Sequence, residues 1–201
     1  MKKYSDIELL KYCLQKNNDA QKELYRRYAP KMYAICLRFV RINSEADDLL
    51  QEGWIKVFQN LNTYNFQGSF ETWIKRIFIN NCINYYKKNL KNNDIFFDDI
   101  EKVKSDNEDE NEHNFFYTDE TKQFEINIPT EEIMKLIQEL PERKRIVFTL
   151  YVIEEYKHSE IAEMLGITEA TSKTQLMKAK IMIREKLLNL YKKHNIYENT
   201  I

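Results

Sequence analysis

The stretch Lys157–Lys180, KHSEIAEMLGITEATSKTQLMKAK, constrains the fold more tightly than any other part of the chain. Ile161, Met164 and Leu165 recur at the spacing of one helix face, and Ala162 leaves room for a second helix to cross closely. Gly166 follows at once, where a sharp turn needs a residue that tolerates positive φ. Thr168 is placed to cap the next helix, whose outward positions carry Lys173, Thr174, Gln175, Lys178 and Lys180. Such a pair of helices offers short polar groups to base edges and long cations to phosphates, as a major groove requires. Plain packing of two amphipathic helices, with a merely solvated basic face, is the competing reading.

Three glycines and three prolines in 201 residues leave few places for β-turns, which points to an all-α fold. The length suits one medium domain or two small ones. A net charge of −1 would by itself argue against a nucleic-acid ligand. The average hides segregation, however: Asp and Glu crowd residues 94–132, whereas Arg143–Arg145 and Lys173–Lys193 are basic. With so many acidic groups the free chain should hold duplex DNA weakly, because nonspecific affinity comes from neutralising phosphates.

Cys13, Cys36 and Cys82 are odd in number and far apart, each inside a helical, partly apolar pattern, so buried free thiols are expected. No CxxC or His-x₃-Cys grouping offers metal ligands, and no glycine-rich phosphate loop is present. His113, His158 and His194 have neither paired carboxylates nor a nucleophile beside them, so neither an enzyme nor a cofactor is expected. The amphipathic start MKKYSDIELLKYCLQK lacks the apolar centre of a signal peptide, and no run approaches membrane-spanning length. A cytoplasmic protein without membrane insertion is the expectation.

Three blocks emerge. Residues 1–92 predict helices over Ser5–Lys16, Ala20–Val40, Ser44–Leu61 and Ser69–Leu90, with Ser44, Asp47 and Asp48 forming a start signal. Residues 93–129 read as an acidic flexible linker. Residues 130–193 predict about four helices, followed by a tail over 194–201.

In SEADDLLQEGWIKVFQNL, residues Ala46, Leu49, Leu50, Trp54, Val57, Phe58 and Leu61 make a core face. Asp48, Gln51, Glu52, Ile55 and Gln59 lie opposite, a polar surface with one apolar residue at its centre, which suits either solvent or a partner. In the helix from Ser69, Phe70, Trp73, Ile74 and Ile77 are core candidates. Arg76, Asn80, Asn84, Lys87 and Lys88 share another face that joins amides to cations. Tyr64 and Phe66, in the loop Asn62–Ser69, can stack on an unpaired base or plug the end of the bundle.

These segments together resemble the extracytoplasmic-function sigma factors of the sigma-70 family. The resemblance rests on AQKELYRRYAPKMYAICLRFV, ADDLLQEGWIKVFQNL and FETWIKRIFINNCINYYKK in the first block. In the third it rests on LPERKRIVFTLYVIEEYKHSEIAEMLGITEATSKTQLMKAK. It implies an all-α chain of two small helical domains: a σ2-like bundle that binds the β′ clamp helices of core RNA polymerase and opens the minus-ten element, and a σ4-like helix-turn-helix domain that binds the β flap and reads the minus-thirty-five element. Promoter DNA and an anti-sigma factor are further implied partners.

Carried over by position, Asp48, Leu49, Gln51, Glu52 and Ile55 fall to the polymerase. Asn60, Tyr64, Phe66, Trp73, Arg76, Asn80, Asn84 and Lys87 fall to minus-ten DNA, and Thr171, Lys173, Thr174, Gln175, Met177 and Lys178 to minus-thirty-five DNA. Ser172 stands where the family commonly has Val or Ile, so its hydroxyl must bond back to the preceding turn or face water. Gln175 and Met177 also depart from the family, which commonly has Arg at the first position and an aromatic residue or His at the second. A stand-alone helix-turn-helix regulator, with the first block sensing or dimerising, is the alternative. A dimer on a palindromic operator would mark it.

Overall fold

A computed structural model describes residues 4–92 and 129–198, and every regular element in them is helical. Helix α1 (Asp6–Leu14) starts in a reciprocal cap: Glu8 N donates to Ser5 Oγ at 3.3 Å, and Ser5 N donates to Glu8 Oε2 at 2.9 Å. Helix α2 (Asn18–Phe39) is capped by Asn17, whose Oδ1 accepts from Ala20 N at 3.0 Å. Helix α3 (Asn43–Asn60) does not begin at the expected Ser44 signal. Its cap position is Ile42, which has no side-chain cap bond, and Ser44 lies inside the first turn. A short 3₁₀ turn (Leu61–Thr63) leads to α4 (Phe70–Asn92).

The third block opens at Pro129, whose fixed φ suits the position before α5 (Thr130–Gln138). Helix α6 (Glu142–Phe148) runs into a π-helical turn (Thr149–Ile153), then α7 (His158–Leu165) and α8 (Glu169–Glu198). Helix α8 continues through the boundary expected at residue 193, so 194–198 belong to it. The acidic linker, apart from Pro129, lies outside the described residues.

Helices α2, α3 and α4 share one core, with Leu24, Met32, Leu49, Val57, Ile74, Phe78 and Ile79 almost wholly buried. The expected α3 face points into it, except that Phe58 is only half-buried. Gly53, on the same face, is the place where α3 meets the Phe78 ring of α4. Around Ile146, Leu150, Ile161 and Leu176 the third block builds its own apolar centre, continuous with the first.

The joint between the blocks is polar at its edge. The last carbonyls of an α-helix have no donor of their own, and here the third block supplies several. Gln138 Nε2 donates to Leu37 O at 3.1 Å, Thr149 Oγ1 to Arg38 O at 3.4 Å, and the guanidinium of Arg145 to Phe39 O at 3.2 and 3.3 Å. Arg41 Nη2 returns the contact, donating to Leu140 O at 3.2 Å.

All three cysteines are buried and free, as expected. Burial pushes the Cys13 thiol up to about 11, and a hydrogen bond with Cys36 together with burial raises Cys82. At pH 8, then, the Cys13 thiol stays protonated. Iodoacetamide at that pH should leave the native chain unmodified and alkylate all three thiols in urea, as read by mass. Rapid native labelling of any one would contradict this packing.

Candidate nucleic-acid and partner interfaces

The outer side of α3 matches its expectation in shape. Asp48, Gln51, Glu52 and Ile55 are exposed, Ile55 at 56%, and Glu52 pairs with Lys56 one turn on at 2.8 Å. Lys56 also bonds the buried Asn81, whose Nδ2 donates to Leu49 O at 3.2 Å, tying this surface to α4. Leu49 itself is a correction. At 1% exposure it belongs to the core and supports the face from behind, because an apolar residue on the stripe facing α2 and α4 cannot also meet a partner.

Arg76, Asn80 and Asn84 are exposed along one side of α4, with Lys87 half-buried beside them. They line a cleft of about 620 Å³ whose far wall is Tyr156, Glu160, Glu163 and Met164 of the third block. That far wall had no counterpart in the sequence reading.

The loop before α4 divides its aromatics. Tyr64 is 9% exposed, donates its hydroxyl to Gly68 O at 2.8 Å and packs between Phe66, Phe70 and Trp73 with centroids 5.0–5.5 Å away. It plugs the end of the bundle, and its stacking on a base is therefore not supported: three rings already occupy its surroundings. Phe66 is the opposite case. It is 48% exposed and sits at φ 59°, a left-handed conformation that costs a non-glycine residue about 1 kcal/mol. Trp73 is half-buried, stacked on Phe70 at 5.6 Å. Asn60 is exposed, but its amide donates to Lys56 O at 2.8 Å on its own helix.

In the helix-turn-helix, Gly166 takes φ 71° and ψ 38°, as the turn requires, and its N–H closes on Ala162 O at 2.9 Å. Thr168 caps α8, accepting from Thr171 N at 3.0 Å. Thr171, Lys173 and Met177 are exposed, whereas Thr174 and Lys178 are half-buried. Thr174 Oγ1 donates back to Ala170 O at 2.9 Å.

Two expectations change here. Ser172 neither bonds the preceding turn nor faces water: it is fully buried, with Oγ 2.8 Å from His158 Nδ1, so it locks α7 to α8. Gln175 is half-buried with its Oε1 inside and no hydrogen-bond partner for that oxygen among the described residues.

Sequence reasoning missed Arg145 and Glu154. Each is charged yet buried, at 3% and 9%, and neither spacing nor composition distinguishes them from their exposed neighbours. Among the described residues no cluster of His, Cys, Asp and Glu could hold a metal, and no helix is long and apolar enough to cross a membrane.

Comparison with known proteins matches residues 24–91 to Sigma-70 region 2 and residues 130–183 to Sigma-70 region 4. The extracytoplasmic-function sigma factor SigW of Bacillus subtilis is 27% identical over 184 residues, covering 90% of this chain and 96% of that protein. The corresponding sigma-E factor of Haemophilus influenzae is 26% identical over 195 residues, covering 91% and 95%. Among solved structures, a Bartonella quintana sigma factor in complex with an anti-sigma factor superposes with a TM-score of 0.48 at 16% identity, covering 83% of this chain and 95% of that one.

Proposed function

The chain belongs to the sigma-70 family of RNA polymerase initiation factors, in its extracytoplasmic-function group, and we propose from that premise how its surfaces divide a sigma factor's work. The observation that carries the reading is the order of the two matched regions, with an exposed amide-and-cation face in the first and a capped helix-turn-helix in the second. Relatives similar across both blocks leave the stand-alone regulator unfavoured.

Asp48, Gln51, Glu52 and Ile55 meet core polymerase, with Ile55 as the apolar centre of a polar rim. Phe66, Arg76, Asn80, Asn84 and Lys87 receive the opened minus-ten strand. Thr171, Lys173, Thr174, Met177, Lys178 and the amide of Gln175 face the minus-thirty-five groove. The protein works by binding, in the cytoplasm, with no chemistry of its own, and an anti-sigma factor is a further proposed partner.

The test is transcription by purified core polymerase on a promoter library. The wild-type chain should form a holoenzyme that starts at defined sites. Ile55→Arg should weaken core binding by about tenfold, roughly 1.4 kcal/mol, while circular dichroism stays native because the side chain is outside the core. Lack of core binding at low salt, where charged contacts are strongest, rejects the assignment.

A further inference from the structure

We infer that His158 and Ser172 are positioning residues for minus-thirty-five recognition, and that the hydrogen bond between them fixes how α8 is rolled in the groove. Ser172, Leu176 and Ala179 form the inward stripe of α8, each fully buried, so none of them can reach a base. Leu176 and Ala179 hold the helix by apolar contact, which has no preferred direction. Ser172 is the one polar residue of the stripe, and its Oγ lies 2.8 Å from Nδ1 of His158 in the first turn of α7. A hydrogen bond does select a direction, because it weakens steeply away from alignment.

The imidazole is itself held. Its ring stacks on that of Tyr151 with centroids 4.4 Å apart at 22°, and Tyr151 belongs to the π-helical turn between α6 and α7. Lys180 Nζ of α8 stands 6.0 Å from the centroid of the same Tyr151 ring, a cation–π distance. Tyr151, His158 and Ser172 thus carry the placement of α8 back to the turn that follows α6.

Thr171 and Lys173, exposed on either side of Ser172, take their aim from it. A roll of about 15° moves a side-chain tip about 1.5 Å on a helix roughly 5–6 Å in radius. The distance range of an N–H···O bond is only about 0.5 Å wide. A roll of that size therefore exchanges one set of base-edge partners for another. Alanine at position 172 nearly fills the space and leaves α8 to settle by apolar packing alone.

The test is base preference in the minus-thirty-five element, measured as holoenzyme on a promoter library with the minus-ten element held constant. Ser172→Ala removes the hydroxyl, and His158→Phe removes the bond while keeping a ring on Tyr151. Each should shift the ratio of the preferred base to its nearest rival by about tenfold at one position or more, the weight of one base pair, with core binding unchanged. The double variant should shift it no further, since both changes remove the same bond. His158→Asn, which returns a hydrogen-bonding atom near the place of Nδ1, should restore part of the wild-type preference. Equal weakening on every sequence with the preference intact overturns the inference, as does an unchanged library profile. Additive shifts in the double variant overturn the bond as the cause. Should Ser172→Ala unfold by circular dichroism, the contrast of His158→Phe with His158→Asn decides. The inference rests on the reading of α8 as the helix in the minus-thirty-five groove, and a wild-type holoenzyme indifferent to minus-thirty-five sequence strikes that reading instead.

Discussion

Replacing Arg145 with methionine should lower stability by about 3 kcal/mol, because one guanidinium serves three main-chain carbonyls inside the protein. Nε and Nη2 donate to Phe39 O, and Nη1 donates to Gln138 O at 3.2 Å and to Leu140 O at 3.1 Å. Methionine keeps much of the stem's volume and supplies no donor, so it isolates the loss of hydrogen bonds from the loss of packing. A buried acceptor without a partner costs about 1–3 kcal/mol, and Phe39 O and Gln138 O each lose the guanidinium, while Leu140 O keeps Arg41 as a donor.

Relief from burying the charge offsets part of this, since desolvation already pulls the guanidinium below its ordinary value. Arg145→Lys should fall between the two, because an ammonium is a point charge that cannot span the three oxygens. Urea unfolding reads the result as a shift in midpoint at constant slope. A change under about 1 kcal/mol for methionine would mean that water reaches these carbonyls.

Gly53→Ala should destabilise the chain by about 2 kcal/mol, against the usual preference of helices for alanine. A Cβ at Gly53 would sit 2.6 Å from Phe78 Cζ and 2.7 Å from Cδ1, and closer still to Cε1, while the ring is fully buried and cannot swing out. Helix propensity favours alanine by about 1 kcal/mol, and an added methyl in a filled core costs more. Coupling decides the cause. In a double-mutant cycle with Phe78→Leu, which removes the obstructing ring edge, Gly53→Ala should lose most of its penalty. If the penalty stays the same in both backgrounds, the close approach of α3 to α4 is not what requires glycine.

Helix periodicity made much of this protein readable from its residues. The apolar positions of α3 are buried at the expected spacing, Gly166 turns where it must, and Thr168 caps α8. Such features depend on neighbours within one turn, so local sequence contains their cause. The start of α3 was misplaced for a related reason: Ser44, Asp47 and Asp48 form a good cap pattern, yet the chain leaves α2 through Val40 and is already helical at Asn43. The shift is one residue, within the range over which helix ends fray.

The functional surfaces separate along the same line. That α4 carries amides and cations on one side follows from spacing alone, as does the polar outer side of α3. Whether a given ring or amide is available does not. Tyr64 and Phe66 are two residues apart in one loop, and only the packing of Phe70 and Trp73 puts the first inside and leaves the second out. Ser172 and Gln175 lie on the helix that sequence assigns to DNA, yet His158 claims one and the domain interior hides the carbonyl of the other.

The helices, the turn of the helix-turn-helix and the faces on which polar groups gather are each set by residues three or four apart and so are legible locally. The burial of Arg145 and Glu154, by contrast, arises from contacts between elements far apart in the chain. Across the joint Arg145 reaches Phe39, and Glu154 reaches Arg38 and Lys75, all in the opposite block. A charge that is stable in the interior only through groups brought to it by folding leaves no trace in its local sequence.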